Sequence, residues 1–531
     1  MNLSLPTLRI LLLAAIAVCL LSGGVPSDYL GRPFIGHPQF IPGRVQAEFY
    51  DLGGQGVAYN DSDPANNGSG KLNKGDLWVD RFRESEGVDV SYTKTGIDKT
   101  LDGAQEKPGE LYLGWTAPGE WVKYTIEARE AGDYVISAHL SSRTDDAAIS
   151  LAFDNAPPIG PITLPGTGHW HKWRMVDKLA EVRLDKGVHI MTLSVLKGGN
   201  FNLDYLDFEP AGEPALSFAP VSAFTQVKRM GRGVNIIGYD PLWRDFTKAR
   251  FKERHFQVIH DGGFQTVRVN LQAFAHMDSA YQLDPVWLST LDWVIDRALA
   301  NHLMIILDEH DYNPCGEDAA ACQPRLKAFW QQISERYKDE PSAVMFEILN
   351  EPNRQISPQL WNRMLKENLA IIRATNPSRT VIIGPAFWNN IKYLPLLDLP
   401  ADDRNIIVTV HYYLPMRFTH QGASWVKSTA NLSGITWGAE AEKNAVDTDF
   451  DDVQEWAKAH GRPILLGEFG AYDKADMDSR VRYISYVARA AESRGWAWAY
   501  WQFEGNFIVY DIAKDRWIDP IWKALIPPVA Q

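Results

Sequence analysis

The C-terminal part of the chain, residues 229–531, repeats one pattern: a short apolar run typical of a buried strand, then a longer stretch with helical periodicity. The eight apolar runs lie at 233–238, 266–270, 303–308, 344–349, 380–383, 406–411, 463–467 and 497–501. Helical stretches include 287–300, 325–338, 358–375 and 479–494. Eight such units predict a (β/α)8 barrel, the TIM-barrel fold. An open doubly wound sheet would need a glycine-rich first turn for a nucleotide, and this turn is missing.

The preceding part of the chain has a different rhythm. Short alternating runs, such as 134–140 and 188–193, are separated by clusters of Gly, Asn, Asp and Ser. Strands at this spacing, with almost no helical periodicity, predict an all-β sandwich of the jelly-roll type over residues 45–209. Residues 28–44, rich in Pro and Gly, and the stretch 210–228 are interpreted as linkers.

Residues 1–27 have the organisation of an export signal. A single positive charge, Arg9, precedes an apolar run at 10–21. This run is shorter than the roughly 20 residues that span a bilayer. An uncleaved N-terminal anchor is the alternative interpretation. Either one predicts an exported protein, located in the periplasm or in the extracellular medium.

The use of cysteine fits an exported protein. Of the three cysteines, Cys19 lies in the predicted signal, whereas Cys315 and Cys322 flank a short polar loop. In an oxidising compartment, Cys315 and Cys322 are expected to form a disulfide that fixes this loop. Two free thiols are the alternative.

The charge of the chain limits its partners. The formal net charge is −13, so nucleic acid and anionic membrane surfaces would be repelled. A neutral polysaccharide is compatible with this charge. The 19 Trp residues offer flat faces for sugar rings, although most of them are expected in the core. We expect a monomer with no stable protein partner.

Two carboxylates stand at predicted strand ends, where a TIM barrel holds its active site. Glu351 follows the fourth strand and Glu468 the seventh, so the two face each other across the mouth. In glycoside hydrolysis, one carboxylic acid protonates the leaving oxygen, while a second carboxylate attacks the anomeric carbon or activates water. A separation of about 5–5.5 Å would indicate a covalent intermediate and retention. A single Glu at a strand end is more often solvated or salt-bridged than catalytic. Here polar or aromatic groups stand at the ends of six strands around one barrel, and together they indicate an active site.

Four more strand-end residues suit supporting roles. Asn350 would hydrogen-bond a sugar 2-hydroxyl, and Trp501 would stack on a sugar ring. Arg268 and Tyr413 would position Glu468 and keep it ionised, because a nearby cation lowers a carboxylate pKa.

Two histidines, His310 and His411, are predicted to bind the substrate or to tune the acid. A metal centre that includes Asp308 and Glu468 is a weaker interpretation, because no short ligand pair such as H-x-H or H-E-x-x-H occurs there. A serine nucleophile fits poorly, since the G-x-S-x-G elbow is absent. No cofactor is therefore expected for catalysis.

Two segments, 346–352 (FEILNEP) and 465–470 (LLGEFG), resemble the catalytic segments of glycoside hydrolase family 5, the cellulase-type family of retaining barrel hydrolases. The resemblance extends to the strand ends 308–312 (DEHDY) and 411–413 (HYY), to Arg268 and to Trp501. It implies that Glu351 is the acid/base and that Glu468 is the nucleophile.

This resemblance implies a retaining endo-β-1,4-glucanase. Residues 418–425 (FTHQGASW) are similar to a bacterial endoglucanase branch whose members accept β-1,4-glucans and mannans. A β-mannanase or a β-1,3-glucanase is the runner-up, and a periplasmic hydrolase that trims the cell's own exopolysaccharide is a third interpretation. A non-catalytic polysaccharide-binding protein is disfavoured because both Glu are present. The loop 313–323 has no counterpart in the family pattern and would reshape the substrate subsites.

The N-terminal sandwich resembles carbohydrate-binding module family 6 at 45–50 (VQAEFY), 119–124 (GEWVKY) and 202–208 (NLDYLDF). The resemblance implies a structural Ca²⁺, with Glu48 and Asp207 as acidic ligands. It further implies a sugar site in which Trp170 stacks on a ring and Asn200 or Asn202 hydrogen-bonds it. A sandwich that serves only as a spacer is the alternative.

Overall fold

A computed structural model describes residues 29–75, 77–93, 111–198, 201–211 and 218–527. The predicted signal or anchor at 1–27 and the candidate sugar ligand Asn200 lie outside these residues. None of the helices in the described ranges combines the length and the apolar composition that a bilayer-spanning segment needs. The chain divides into two compact units. Among the described residues, the first comprises 29–33, 38–62 and 116–211, and the second 34–37, 63–115 and 218–527.

The described part of the N-terminal region forms two six-stranded sheets. Its strands are β1 (Gln39–Ile41), β2 (Gly43–Gln46), β3 (Tyr59–Asn60), β4 (Val90–Tyr92), β5 (Leu111–Leu113), β6 (Trp121–Ala128), β7 (Gly132–Ser142), β8 (Ala148–Phe153), β9 (Ile159–Thr163), β10 (Arg174–Leu184), β11 (Gly187–Lys197) and β12 (Phe201–Pro210). One sheet has the order β1-β6-β11-β8-β9, with β3 beside β6. The other contains β2, β4, β5, β7, β10 and β12.

The two sheets bury the apolar side of alternating strands. In β7, Tyr134, Ile136 and Ala138 are buried while the residues between them are more exposed. Phe153 of β8 and Phe208 of β12 belong to opposite sheets, and their ring centroids lie 6.3 Å apart. The predicted all-β sandwich is therefore confirmed.

The first predicted linker, 28–44, contains sheet residues. Its β1 pairs with β6 in parallel, and β2, which begins at Gly43, pairs with β12. The sheets therefore start before residue 45. Strands of three or four residues are too short to show alternation, so the Pro and Gly around them dominated the sequence pattern.

The C-terminal region is a closed barrel of eight parallel strands, as predicted. The strands are β13 (Arg232–Ile236), β14 (Thr266–Leu271), β15 (Met304–Glu309), β16 (Val344–Glu347), β17 (Val381–Ile383), β18 (Ile406–Tyr412), β19 (Ile464–Phe469) and β20 (Ala497–Tyr500). A small hairpin follows, formed by β21 (Tyr510–Asp511) and β22 (Arg516–Trp517). Most barrel-strand residues are buried, which explains why their sequences are continuous apolar runs.

The barrel strands alternate with helices. The helices are α1 (Ala223–Met230), α2 (Arg254–Asp261), α3 (Pro285–Ala300), α4 (Tyr312–Glu317), α5 (Ala319–Arg336), α6 (Pro358–Thr375), α7 (Ala386–Asn389), α8 (Met416–Thr419), α9 (Glu440–His460), α10 (Met477–Ser493) and α11 (Asp519–Leu525). Helix α6 begins as its sequence predicts: the Ser357 side chain accepts a hydrogen bond from the Leu360 N–H, and Pro358 occupies the first turn.

The second predicted linker, 210–228, contains most of helix α1. Ala223, Val227 and Met230 of this helix pack against inward-facing residues of the barrel strands. These strand residues include Ile306, Met345, Ile382, Ile407 and Leu465. Because α1 leads directly into β13, it closes the barrel at the amino ends of the strands. The sequence pattern missed it because a helix of eight residues shows little more than two turns of periodicity.

The segment 313–323, predicted as a polar loop, is mostly helical. Helix α4 ends at Glu317, and α5 begins at Ala319 with Asp318 as its N-cap. The Cys315–Cys322 disulfide joins these two helices, with the Cα atoms 4.8 Å apart. Both cysteines are buried.

Candidate active site

The carboxyl ends of the barrel strands bring Glu351 and Glu468 together. Glu468 lies near the end of β19, and Glu351 lies in the loop after β16. One carboxylate oxygen of each, together with a ring nitrogen of His411, falls within a group whose atoms are all within 4.8 Å of one another. This spacing is closer to the separation of about 5–5.5 Å typical of retaining pairs than to the about 6.5–9.5 Å of inverting pairs.

Arg268 lies at the centre of the cluster and is fully buried on β14. Its guanidinium donates to both oxygens of Glu347, at 2.7 and 2.9 Å. It also donates to Glu468 Oε1 at 2.8 Å and lies 3.0 Å from Asp308 Oδ2. Such a planar fork can hold several acceptors in fixed directions, as a lysine ammonium cannot.

Glu468 is held by two donors. Arg268 Nη1 donates to Oε1, and the Tyr413 hydroxyl donates to Oε2 at 3.0 Å. Burial raises the pKa of Glu468, and the charge of Arg268 and the hydrogen bond from Tyr413 oppose this rise. Arg268 and Tyr413 thus lie where the sequence predicts them and favour the ionised carboxylate, although the cost of burying the charge is the larger effect.

Glu351 retains its proton more strongly than Glu468 does. Burial, followed by the negative charge of Glu468, raises the pKa of Glu351 well above its usual range. Among the described residues, no guanidinium donates to Glu351 as Arg268 donates to Glu468. Burial thus raises the pKa of Glu351 more strongly than that of Glu468, an asymmetry that suits Glu351 to the role of acid and Glu468 to that of nucleophile.

His411 connects the two carboxyl groups. Its Nδ1 lies 2.8 Å from Glu351 Oε1 and 3.6 Å from Glu468 Oε2. Burial and then the charge of Arg268 lower the pKa of His411 well below its usual value, so the ring is neutral. On the other side, Asn389 Nδ2 lies 3.2 Å from His411 Nε2. With the amide in this orientation, Nε2 accepts and Nδ1 carries the proton.

The turn that presents Asn389 has an unusual backbone. Phe387, Trp388 and Asn389 have φ angles of 57°, 63° and 52°, all in the left-handed region. The Trp388 N–H donates to Pro352 O at 3.2 Å, which ties this turn to the loop of the acid. A Cβ at Gly384 would collide with the Asn389 amide, so a glycine is needed there.

The remaining predicted site residues form one connected group. His310 Nδ1 lies 2.6 Å from Asp308 Oδ2, and the Trp501 ring stacks on the His310 ring with centroids 5.6 Å apart. Asn350 Oδ1 accepts from Arg268 Nη2 at 2.9 Å. The structure thus brings together all eight residues predicted for this site, namely Arg268, His310, Asn350, Glu351, His411, Tyr413, Glu468 and Trp501.

Sequence reasoning missed three residues of the cluster. Asn235 accepts from Arg268 Nη1 at 2.8 Å, Glu347 accepts from the same guanidinium, and Asn389 contacts His411. Asn235 and Glu347 lie within apolar strand runs, where a single polar residue is the signal that points into a barrel.

A metal site is the alternative use of these groups. Within the described ranges, three or more His, Cys, Asp or Glu side chains approach closely enough to share an ion only at Glu351, His411 and Glu468. In this group, His411 and Glu351 are hydrogen-bonded to each other, and Glu468 accepts hydrogen bonds from Arg268 and Tyr413. These ligand atoms are therefore already used within the protein. The predicted absence of a catalytic cofactor stays a prediction.

In the sandwich, Trp170 and Asn202 lie together. The buried Asn202 amide donates to Trp170 O, and Ser141 Oγ donates to the same carbonyl. Arg143 lies over the Trp170 ring, 5.1 Å from its centroid. Asn202 thus fixes the backbone of Trp170 and uses its amide to do so. The role of Trp170 stays a prediction.

The predicted calcium ligands are both in the described region. Glu48 is buried in the short 3-10 turn Ala47–Phe49, and Asp207 is partly buried on β12, opposite Arg44 of β2. Calcium also takes main-chain oxygens as ligands, so two carboxylates near strand ends suit it. The calcium site stays a prediction.

Several curated relatives of this chain are bacterial endoglucanases. Endoglucanase H of Acetivibrio thermocellus is 32% identical over 328 residues, which cover 59% of this chain and 35% of that protein. Endoglucanase A of Clostridium longisporum is 28% identical over 261 residues, 46% of this chain and 49% of that protein. The chain thus spans about a third to half of the length of these relatives.

Solved structures with the same barrel include endoglucanase Cel5A of Thermotoga maritima in complex with cellobiose. Its sequence is 37% identical, the match covers 57% of this chain and 99% of that one, and the TM-score is 0.55. The same enzyme has been solved with a mannotriose substrate. Cellulose synthase subunit Z of Clostridioides difficile is 34% identical, with 56% and 99% of the two chains covered and a TM-score of 0.53.

Two family models match the chain. Residues 89–210 match the carbohydrate binding module of family 6, the region of the predicted binding sandwich. Residues 227–507, more than half of the chain, match the cellulase model of glycosyl hydrolase family 5. Both resemblances seen in the sequence are therefore confirmed, and the chain belongs to glycosyl hydrolase family 5, with a carbohydrate-binding module of family 6 before the barrel.

Proposed function

We propose that the protein is an exported, retaining endo-β-1,4-glucanase. The observation that carries this proposal is the pair Glu351 and Glu468. They lie close together, Glu468 buried and Glu351 partly buried, and the pKa of Glu351 is raised more strongly than that of Glu468. The cellobiose complex of the Thermotoga maritima enzyme supports a β-1,4-glucan as substrate, as do the endoglucanase relatives.

In the first step, ionised Glu468 attacks the anomeric carbon and forms a covalent glycosyl ester. Glu351 gives its proton to the departing glycosidic oxygen, so the leaving sugar departs as a neutral alcohol. In the second step, Glu351 is a carboxylate and removes a proton from water. The water oxygen attacks the anomeric carbon, the ester bond to Glu468 breaks, and the product retains its configuration.

The neighbouring residues prepare these steps. Arg268 and Tyr413 aim the Glu468 oxygens and limit the rise of its pKa. Neutral His411 donates from Nδ1 to Glu351 Oε1, which leaves the acid proton for the other oxygen. Trp501, whose ring stacks on His310, offers its other side to a sugar.

The sandwich is proposed to keep the protein on its polymer. Trp170 would stack on a sugar ring, while Ca²⁺ held by Glu48 and Asp207 would fix the module. A monomer outside the cytoplasm fits this role, because a polysaccharide too large to enter a cell must be cleaved outside it.

Two alternatives have specific support. The mannotriose complex of the Thermotoga maritima enzyme favours mannan as a second substrate. The similarity to the Clostridioides difficile cellulose synthase subunit favours a role in trimming the cell's own polymer.

A reducing-sugar assay on carboxymethylcellulose, mixed-linkage glucan, xyloglucan, mannan, xylan and laminarin tests the proposal, with Glu351→Gln as control. We expect the wild type to release sugars from the β-1,4-glucans, and the variant to lose about 10²–10⁴-fold of this rate. Activity restricted to mannan would select the first alternative. Equal rates for both proteins would contradict the assignment of the acid.

The nucleophile has its own test. Glu468→Ala should abolish turnover because it removes the oxygen that bonds to the anomeric carbon. The fold should persist, since Arg268 keeps Glu347 and Asp308 as partners. Azide should then restore product of inverted configuration, because it attacks from the side that Glu468 leaves empty. NMR of the product anomer measures this, and an active variant without an azide effect would refute the role.

A further inference from the structure

A disulfide-bonded turn adjoins the loop that carries the acid. We name residues 312–322 the disulfide turn and residues 351–355 the acid loop. The disulfide turn contains α4, the N-cap Asp318 and the first turn of α5, closed by Cys315–Cys322. The acid loop starts with Glu351 itself.

Asn353 connects the two segments from inside the protein. It is fully buried, and its Nδ2 donates to the carbonyl oxygens of Glu351, at 2.8 Å, and Tyr312, at 3.2 Å. A Cβ at Gly316 would collide with the Asn353 side chain, so the main chain of α4 lies directly on it.

Gln355 adds three bonds at the other end of the acid loop. Its N–H donates to Gly316 O at 3.1 Å, and its Nε2 donates to Glu317 O. Its Oε1 accepts from the Ala319 N–H at 3.4 Å. These partners lie between Cys315 and Cys322, inside the ring that the disulfide closes.

The acid loop needs such external partners because of its own backbone. Glu351 and Arg354 have φ angles of 42° and 49°, in the left-handed region that non-glycine residues rarely adopt. Conformations of this kind persist where the surrounding structure holds them. The bonds from Asn353 and Gln355 fix the loop on both sides of Arg354.

We propose that the Cys315–Cys322 disulfide and Asn353 are positioning residues for the acid step, a role that rests on the proposed function. The disulfide keeps Gly316, Glu317 and Ala319 in the geometry that binds the acid loop. The acid loop, held in this way, keeps Glu351 Oε1 2.8 Å from His411 Nδ1. In this position the carboxyl group is directed at the glycosidic oxygen of the substrate. Without the crosslink, the nucleophile Glu468, on a separate strand, stays in place while the acid does not.

Aryl cellobiosides separate this role from a general loss of structure. Departure of 2,4-dinitrophenolate needs little protonation, whereas departure of phenol depends on the acid. In Cys315→Ala/Cys322→Ala, we expect kcat/KM for the phenyl substrate to fall by about tenfold or more, with kcat/KM for the dinitrophenyl substrate almost unchanged. The ratio of the two constants does not depend on the fraction of folded enzyme.

Asn353→Ala is the second variant, and the same selective loss is expected for it. Lys327→Ala, on the exposed side of α5 in an ion pair with Glu367, is the matched control and should leave the ratio unchanged. An unchanged ratio of the two kcat/KM values in both test variants would overturn the proposal, whether both constants stay the same or both fall equally. If the wild type hydrolyses neither cellobioside, the proposed function fails first, and that outcome is distinct from a change in the ratio.

Discussion

Tyr413 shows how one hydroxyl group tunes the candidate nucleophile. It donates to Glu468 Oε2 on the side opposite Arg268. Both donors favour the ionised carboxylate, against the burial that raises its pKa. The proposed reaction requires ionised Glu468 and protonated Glu351. Activity is therefore lost as the pH falls through the lower apparent pKa of this carboxyl pair and as it rises through the higher one.

Tyr413→Phe should therefore move the acidic limb of the kcat/KM profile to higher pH. Loss of the donor leaves burial less opposed, so the Glu468 pKa rises further. The alkaline limb, which follows Glu351, should move less. A pH profile on a soluble β-glucan measures both limbs. An acidic limb at lower pH would contradict the assigned hydrogen bond.

Asn389→Leu should lower kcat by about tenfold with little change in KM. The leucine cannot donate to His411 Nε2, so the ring is free to place its proton there and to turn a lone pair toward Glu351. The acid proton would then be shared with the histidine. Steady-state kinetics on a soluble β-glucan measure the effect. Asn390→Ala is the neighbouring control, because the Asn390 side chain caps the following turn and its bridge to His411 is made by the main chain, which the substitution keeps. Equal kcat values would rule out the role.

At the scale of elements, helix α1 is the clearest stabilising unit outside the site. Met230→Ala should lower the free energy of unfolding by about 2–5 kcal/mol, because it empties a fully packed position under the barrel. Phe224→Ala on the same helix is the control, since that side chain is 52% exposed. Chemical denaturation followed by tryptophan fluorescence gives both values. Similar losses would show that α1 does not close the barrel.

The barrel strands could be located from the sequence, whereas α1, β1 and α4 could not. Parallel strands buried on both faces leave continuous apolar runs, and the polar residues that end them mark the catalytic face. Short elements leave no period to detect. Similarly, Glu351 and Glu468 could be found at strand ends, but Asn389 could not, because it acts through His411 and its turn has no strand or helix pattern.

At the scale of the whole molecule, binding and cleavage are assigned to different parts of the chain. Trp170→Ala should weaken binding to insoluble cellulose by about tenfold, because it removes ring stacking worth about 1.4 kcal/mol. The kcat on a soluble glucan should stay the same. Trp456→Ala, a partly buried Trp on α9 of the barrel, is the control. Depletion of protein from solution by the solid measures binding. Unchanged depletion would favour a spacer role for the sandwich.

The cluster around Arg268 has a consequence for inhibition. Asp308, Glu347 and Glu468 surround this single guanidinium, with Glu351 beside them, so the site favours additional positive charge. A sugar ring acquires such charge only as its glycosidic bond breaks. A sugar-like ring with a protonated nitrogen in place of the anomeric carbon carries this positive charge permanently. Basic sugar mimics should therefore bind this mouth more tightly than neutral sugars of the same shape.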